Sequence, residues 1–202
     1  MDKLSFTGKI TSIQPRIRLT RSFDEATHTY LGYAVKIAGT LDNQETISSN
    51  QNIFSAGIGK AAQAKYNFKI NDTISGACLP VPDLDMEPVD YYKVSKLSKI
   101  SEGESGSIST PWELVPPELE VYRERGHRRL VARTYEVKCN SCIWGCRMPV
   151  EIIIDNWNPR GRRKYRFETF CYGPLSCIRL VPIGKSRVGK GWYMWRKIGL
   201  MK

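Results

Sequence analysis

Histidine is scarce in this chain, with only His28 and His127 among 202 residues. Two histidines so far apart in sequence are expected on the surface and do not suggest a site that uses imidazole as a base or a metal ligand. No G-x-S-x-G, H-E-x-x-H or paired-carboxylate signature is present. The stretch AGIGKAA lacks both the first glycine and the final Ser or Thr of a phosphate-binding loop. We therefore expect a binding protein and not an enzyme.

Long apolar runs are also missing, since no stretch approaches the ~18–20 residues that cross a bilayer. The first residues, MDKLSFTGKI, lack the apolar centre of a secretory signal. These absences predict a protein without membrane contact in the reducing cytoplasm. In that compartment disulfides are rare, so clustered cysteines indicate metal or redox chemistry.

Acidic residues are few compared with basic ones: 20 Asp and Glu against 31 Lys and Arg give a formal net charge of +11. The imbalance is uneven. Residues 1–100 hold 12 basic and 10 acidic side chains, whereas residues 101–202 hold 19 and 10, and residues 178–202 hold no acid at all. Such a field attracts polyanions, so nucleic acid is the expected partner and an acidic protein is the alternative.

The first half of the chain alternates apolar and polar residues in segments separated by turn-forming residues. This pattern predicts strands at residues 6–19, 30–41, 45–51, 73–81 and 91–100. Alanines within residues 53–66 predict one helix between the third and fourth strands. The order resembles that of the OB-fold, a five-stranded barrel, over residues 4–100. The resemblance implies a barrel face that holds single-stranded nucleic acid or oligosaccharide, with candidate contacts Arg16, Arg18, Tyr30 and Tyr33.

A stretch rich in Ser, Gly, Pro and acidic residues, 101–117, predicts a linker between a barrel of residues 1–100 and a second unit of residues 118–202. Pro117 begins a predicted short helix, and Gly126 ends it. The arginines that follow this start favour contacts with phosphate, because a guanidinium forms forked hydrogen bonds. The candidates are Arg125, Arg128 and Arg129.

Five of the six cysteines lie between Cys139 and Cys177. The spacing Cys139-x-x-Cys142 lets two thiolates bind one tetrahedral ion. Residues 148–156 and 164–170 predict a hairpin that returns the chain to its start, so Cys171 and Cys177 are expected beside the first pair. This layout resembles a zinc ribbon, although the second pair is separated by five residues instead of two. The predicted ligands of a structural Zn²⁺ are Cys139, Cys142, Cys171 and Cys177, with Cys146 as a substitute.

Two other chemistries use the same cysteines. Four thiolates also bind an iron–sulfur cluster, although the order C-x-x-C-x-x-x-C is the reverse of that in radical-SAM enzymes. A C-x-x-C pair can act in thiol redox reactions, yet no thioredoxin-like βαβ pattern surrounds this one. The sequence favours zinc and leaves both alternatives open.

The hairpin tip and the C-terminal tail mix cationic with aromatic side chains, which favours contact with phosphates and bases. The candidates are Trp157, Arg160, Arg162, Arg163, Lys164, Arg166, Trp192 and Trp195. Overall the sequence predicts a mainly β (α+β) protein: an OB-like barrel with one helix, then a zinc-ribbon-like hairpin module with a short helix. The predicted function is non-catalytic binding of single-stranded DNA or RNA. The alternatives are an adaptor for an acidic protein and an enzyme-accessory protein with functional cysteines.

Overall fold

Eight β-strands dominate a computed structural model that describes residues 3–20, 27–42, 52–104, 115–152, 157, 164–174 and 177. The strands are β1 (Leu4–Thr20), β2 (Thr27–Leu41), β3 (Asn52–Ile58), β4 (Thr73–Pro80), β5 (Tyr91–Ser101), β6 (Arg128–Leu130), β7 (Gly145–Ile152) and β8 (Lys164–Cys171). The helices are short: α1 (Lys60–Tyr66), α2 (Leu119–Arg125) and α3 (Ala132–Thr134), which runs into a π-helical turn (Tyr135–Cys139).

The first five strands close into a ring, called the barrel below. Strand β1 pairs with β2, β2 with β3, β3 with β5, β5 with β4, and β4 again with β1. All these pairs are antiparallel except β3 with β5, which is parallel at Ala56 and Tyr91. The helix α1 lies in the connection from β3 to β4. The ring closes between β3 and β5 through this one pair of residues, Ala56 and Tyr91, whereas the other four junctions are longer ladders.

Two facing glycines let β1 and β2 cross closely. Gly8 pairs with Gly39, and a Cβ atom on Gly39 would lie 2.1 Å from the carbonyl oxygen of Thr7. A Cβ atom on Gly8 would lie 2.6 Å from Cγ2 of Ile37. Glycine at a strand crossing of this kind permits the tight bend that a small barrel needs.

The C-terminal strands extend the sheet from the far end of β1. Strands β7 and β8 form an antiparallel hairpin, β6 pairs with the outer edge of β8, and β7 runs parallel to β1 at Leu19 and Val150. One buried apolar cluster continues from Ile10 and Val35 inside the barrel to Met148 and Phe170 of the hairpin. The two parts therefore share a core. The predicted division into units of 1–100 and 118–202 stays a prediction, and residues 105–114 of the predicted linker lie outside the described part.

The mainly β class is confirmed, and the helix predicted over residues 53–66 is present only in its second half. Residues 53–58 form strand β3, and the helix begins only at Lys60. In β3 the side chains of Phe54, Ala56 and Ile58 are buried while Ile53 is exposed, so the packing follows the period of two of a strand. The alanines that indicated a helix, Ala61, Ala62 and Ala64, do lie in α1. The predicted strand at 45–51 lies outside the described residues.

The helix predicted after Pro117 is present as α2, and it ends at Gly126, whose φ is +67°. Tyr122 on α2 is buried, as expected for its inward face. Arg128 and Arg129, however, belong to strand β6 and not to the helix.

Candidate functional site

A cleft of about 290 Å³ lies between the barrel and the C-terminal strands. Strands β1, β2 and β3 contribute residues to it, as does the loop 81–90 that connects β4 to β5. Tyr135, Arg147 and Phe167 enter from the C-terminal side. The lining mixes polar and apolar side chains, including Ser12, Gln14, Lys36, Ile53, Phe54 and Leu84. A site of this composition suits a ligand that has both flat apolar and polar surfaces.

Arg147 and Phe167 form a stacked pair at this cleft. The guanidinium carbon of Arg147 lies 4.2 Å from the centroid of the Phe167 ring. The hairpin register produces the contact, because Arg147 pairs with Thr169 and Phe167 with Pro149, which makes the two residues diagonal neighbours. Arg147 was not among the predicted contacts, because its partner on the neighbouring strand, Thr169, is about twenty residues away in the chain.

The predicted barrel-face arginines are ion-paired beside the cleft. Arg16 and Arg18 each place a guanidinium nitrogen 2.6 Å from a carboxylate oxygen of Glu87. Glu87 belongs to the loop 81–90 between β4 and β5. The arginines therefore fix the cleft-side loop to β1, and one net positive charge remains in the group.

The two predicted tyrosines also make internal contacts. Tyr33 is only 2% exposed, and its hydroxyl donates a hydrogen bond of 2.8 Å to the carbonyl of Pro117. The guanidinium carbon of Arg123 lies 4.9 Å from the ring centroid of Tyr30. In this conformation Tyr33 cannot stack on a base, so we leave it out of the proposed binding surface.

Three of the four predicted metal ligands meet beside the cleft. Cys139 and Cys171 are buried in one small cluster with Leu130 and Tyr135, and Cys142 packs against it. We call Cys139, Cys142 and Cys171 the cysteine cluster. The hairpin brings them together, because Cys171 pairs with Gly145 directly after the turn that contains Cys142. All six cysteines are thiols in this structure.

Cys177, the fourth predicted ligand, follows a turn in which its N–H donates to the carbonyl of Pro174. Among the described residues, no group of three or more His, Cys, Asp or Glu side chains is arranged to hold a metal ion. The predicted zinc site thus remains a prediction, with three of its four sulfur-bearing residues in one cluster.

The sulfur of Cys171 receives two hydrogen-bond donors. The N–H of Gly173 lies 3.3 Å from Sγ, and Nη2 of Arg128 lies 3.7 Å from it. Arg128 also donates to the carbonyls of Gly173 and Pro174. The predicted phosphate contact Arg128 therefore supports the loop around Cys171, and its side chain is only partly exposed.

Cys146 lies in a different environment from the cysteine cluster. Its side chain is fully buried in the main core, and Sγ donates to the carbonyl of Pro15 at 3.3 Å. Burial raises the pKa of this thiol far above its usual value. Cys78 is likewise buried in the core, and burial raises its pKa to about 11. Both behave as small core residues.

Gln14 connects the cysteine cluster to the cleft. Its Nε2 atom donates to the carbonyls of Cys139 and Cys142, at 2.8 and 2.9 Å, and its Oε1 atom accepts from the hydroxyl of Tyr135 at 2.6 Å. Gln14 and Tyr135 both line the cleft. No local pattern in the sequence indicates the role of Gln14, because its partners lie more than a hundred residues away.

The remaining predicted nucleic-acid contacts are scattered. Arg125 donates to the Tyr172 carbonyl and stacks on Trp144, while Arg129 and Arg166 are ion-paired with Glu168. Lys164 begins β8. Trp157 is 97% exposed. The described part of the chain does not include Arg160, Arg162, Arg163, Trp192 or Trp195.

The two histidines, expected to be separate surface residues, are in contact. Their ring centroids lie 4.6 Å apart, and His127 also meets the ring of Phe170 edge-on at 5.0 Å. Burial, with a smaller contribution from His28, lowers the pKa of His127 to about 4. His127 is therefore neutral near pH 7.

No family model, curated protein or solved structure matches this chain. None of the helices in the described ranges is long and apolar enough to cross a bilayer.

Proposed function

We propose that this chain is a non-catalytic protein that binds single-stranded nucleic acid in the cleft. The observation that carries the proposal is the stacked pair of Arg147 and Phe167, at a cleft that also contains Lys36. A guanidinium plane held on an aromatic ring is a surface on which an unpaired base can stack. Arg147 and Lys36 supply cations for the phosphates that accompany such a base.

We further propose that the barrel is an OB-fold. Its strand order, with β3 parallel to β5 and α1 between β3 and β4, supports this assignment. In that interpretation the cleft occupies the outer face of β1–β3, beside the loop between β4 and β5. Fold alone does not imply function, so the argument depends on the side chains in the cleft.

The third part of the proposal is a structural Zn²⁺ bound by Cys139, Cys142, Cys171 and Cys177. Two observations support this proposal: three of the cysteines are clustered, and Gly173 and Arg128 donate to the Cys171 sulfur in the manner of outer-shell groups that orient metal ligands. Four cysteines would complete the tetrahedral coordination of Zn²⁺, and the metal would then have a purely structural role. Cys146 is left out because its sulfur faces Pro15 in the core.

Fluorescence anisotropy with labelled DNA and RNA single strands of about 16 nucleotides, the upper end of OB-fold site sizes, tests the nucleic-acid proposal. We expect binding that weakens steeply between about 0.05 and 0.2 M salt, because phosphate contacts release counterions. Absence of binding to both strands, or binding that ignores salt, would reject the proposed function. A partner retained after nuclease treatment would favour the adaptor alternative instead.

Substituting Arg147→Gln tests the cleft itself. We expect roughly tenfold weaker binding, since one base stacking contact contributes about 1–3 kcal/mol. Arg133→Gln is the matched control, because Arg133 is an exposed arginine of α3 outside the cleft and its loss removes the same charge. Equal losses in both variants would show that only net charge matters and that the cleft is not the site.

A further inference from the structure

Strand β5 contains a three-residue repeat that its neighbour does not share. Residues 93–101 read KVS, KLS, KIS, so each triplet is lysine, an apolar residue and serine. In the pairing with β4, three residues of β5 lie opposite two residues of β4. Ser95 pairs with Ala77, Ser98 with Ser75, and Ser101 with Thr73. Every triplet of β5 thus spans two residues of β4.

Each triplet fits this pairing because one residue of β5 is extra. The register shifts between Ala77 and Leu79, between Ser75 and Ala77, and between Thr73 and Ile74. At the first two shifts a lysine adopts the left-handed backbone region: φ is +49° at Lys93 and +50° at Lys96. Non-glycine residues rarely adopt this conformation, and repeated β-bulges are built features of a strand.

The bulges return equivalent residues to the same side of the strand. Side chains alternate with a period of two in a regular strand, so lysines three apart would otherwise point to opposite faces. With one extra residue per triplet, Lys93 and Lys96 both stay exposed, while Val94 and Leu97 pack against the core. We call Lys93 and Lys96 the lysine row. Their expected separation along the strand is roughly 7 Å, two residues of strand rise.

The lysine row carries charge that the described residues do not neutralise. Neither lysine forms an ion pair there, and the Nζ atom of Lys93 lies 5.1 Å from the ring centroid of Tyr92. Lys99, the third lysine of the repeat, is different, because it is paired with Asp72 and Glu102. The repeat therefore has one anchored lysine and two that are exposed to a ligand.

The row starts at the edge of the cleft. Asp90 lines the cleft and immediately precedes β5. Tyr91, the first residue of β5, packs edge-on against Phe54 of the cleft at 5.7 Å. A chain that leaves the cleft over this edge would meet Lys93 first and Lys96 next.

We propose that the lysine row binds the phosphate backbone of a single strand whose neighbouring bases occupy the cleft. This inference rests on the proposed function and extends its site along β5. Two exposed ammonium groups on one strand can contact neighbouring phosphates of a linear polyanion, and lysine contacts phosphate as a point charge. The row contacts only the backbone, so it contributes affinity without base preference.

The test compares two oligothymidylates, one of about 4 nucleotides that fills only the cleft and one of about 16 that also reaches the row. The β5 variant combines Lys93→Gln with Lys96→Gln. Its control combines Lys65→Gln with Arg133→Gln, which removes the same two positive charges. We expect the β5 variant to bind the long strand roughly tenfold more weakly near 0.1 M salt. Its slope of log affinity against log salt should be shallower by about 1.4, the value for two lost phosphate contacts on single strands.

The short strand should bind the β5 variant and the wild type alike, and Lys93→Arg, Lys96→Arg should retain affinity for the long strand. Equal losses in the β5 variant and the control, or an equal loss for the short strand, would overturn the inference. It would also be overturned if the β5 substitutions abolished binding to anionic lipid vesicles and left the long strand unaffected. If the wild type binds neither strand, the proposed function itself fails, and that outcome is separate.

Discussion

His127 shows how a single side chain makes stability depend on pH. It is packed against His28, Phe170 and Tyr172, and burial lowers its pKa to about 4. In the unfolded chain the imidazole has its ordinary pKa near 6.5. Between these two values the unfolded chain binds a proton that the folded chain does not. Folding therefore becomes less favourable as the pH falls from about 6.5 to about 4.

We expect His127→Gln to flatten this dependence. The wild type should lose as much as about 3 kcal/mol of unfolding free energy between pH 6.5 and 4, and the variant should lose much less over the same window. Urea denaturation at pH 4.5, 5.5 and 7 measures the difference. Parallel curves for the two proteins would contradict the assignment, even if the variant is less stable at every pH.

Asp72 does not confound that experiment. Burial tends to raise its pKa, but hydrogen bonds from the N–H groups of Gly103 and Lys69 and from Lys99 outweigh this effect and lower it. A carboxylate with a lowered pKa loses its stabilising contribution only as the pH falls below its ordinary value near 4. The His127 effect occurs above that range.

Contacts between residues close in the sequence could be predicted, whereas contacts between residues far apart in the sequence could not. The cysteine cluster was predictable because one hairpin, itself visible in the alternation pattern, returns Cys171 to Cys142. The contacts of Gln14 with Cys139 and of His28 with His127 join the barrel to the C-terminal strands. No local pattern encodes such pairs, since they exist only once the strand order is known.

At the scale of elements, strand β5 balances backbone strain against the placement of its side chains. An L-residue in the left-handed region costs roughly 1–2 kcal/mol, and Lys93 and Lys96 both adopt it. The period of three in the sequence did not reveal a strand with bulges, because a bulge is defined by the partner strand. In β3 the start of the neighbouring helix was predicted too early, because the apolar residues Ile53, Phe54 and Ile58 fit a helical face as well as a strand, and only the pairing with β2 shows that they form a strand.

Glycine should relieve the strain at Lys96. We expect Lys96→Gly to leave the unfolding free energy unchanged or to raise it by up to about 1 kcal/mol, because glycine accepts positive φ without steric cost. Lys96→Val should lower it by about 1–2 kcal/mol, because a β-branched residue fits this region poorly. Thermal and urea denaturation would measure both.

Ser98 supplies the control on the same strand. Its φ is not positive, so Ser98→Gly should destabilise the protein by about 0.5–1 kcal/mol, the usual cost of glycine in a strand. If Lys96→Gly and Ser98→Gly destabilise equally, the left-handed conformation of Lys96 would be rejected.

At the scale of the whole molecule, the barrel and the cysteine-bearing strands are joined by a common hydrophobic core. They share the buried cluster that contains Ile13, Tyr122 and Met148. The outer face of β1 also contacts the turn between Cys139 and Cys142, where Ser12 donates to the carbonyl of Asn140 and Gln14 donates to those of both cysteines. Anything that orders this turn therefore also orders the cleft residues Gln14 and Tyr135. We expect metal binding and ligand binding to be coupled.

Gln14→Leu removes the hydrogen bonds and keeps a side chain of similar size. If zinc binds as proposed, the variant should bind Zn²⁺ about 10–100-fold more weakly, the usual effect of losing an outer-shell partner, as measured by competition with a chromogenic chelator. Gln63→Leu is the matched control, since Gln63 is another buried amide, bonded to the Phe68 carbonyl just after α1, and its loss should reduce stability without changing zinc affinity.

The same coupling predicts reciprocity. Removing zinc from the wild type should weaken oligonucleotide binding by the same factor by which the oligonucleotide strengthens zinc binding, because both measurements follow one thermodynamic cycle. In Gln14→Leu that factor should approach one, since the contact between turn and cleft is gone. Equal zinc affinity in the wild type and Gln14→Leu would show that the turn is held by the hairpin alone. An undiminished factor in the variant would show that the two sites communicate by another route.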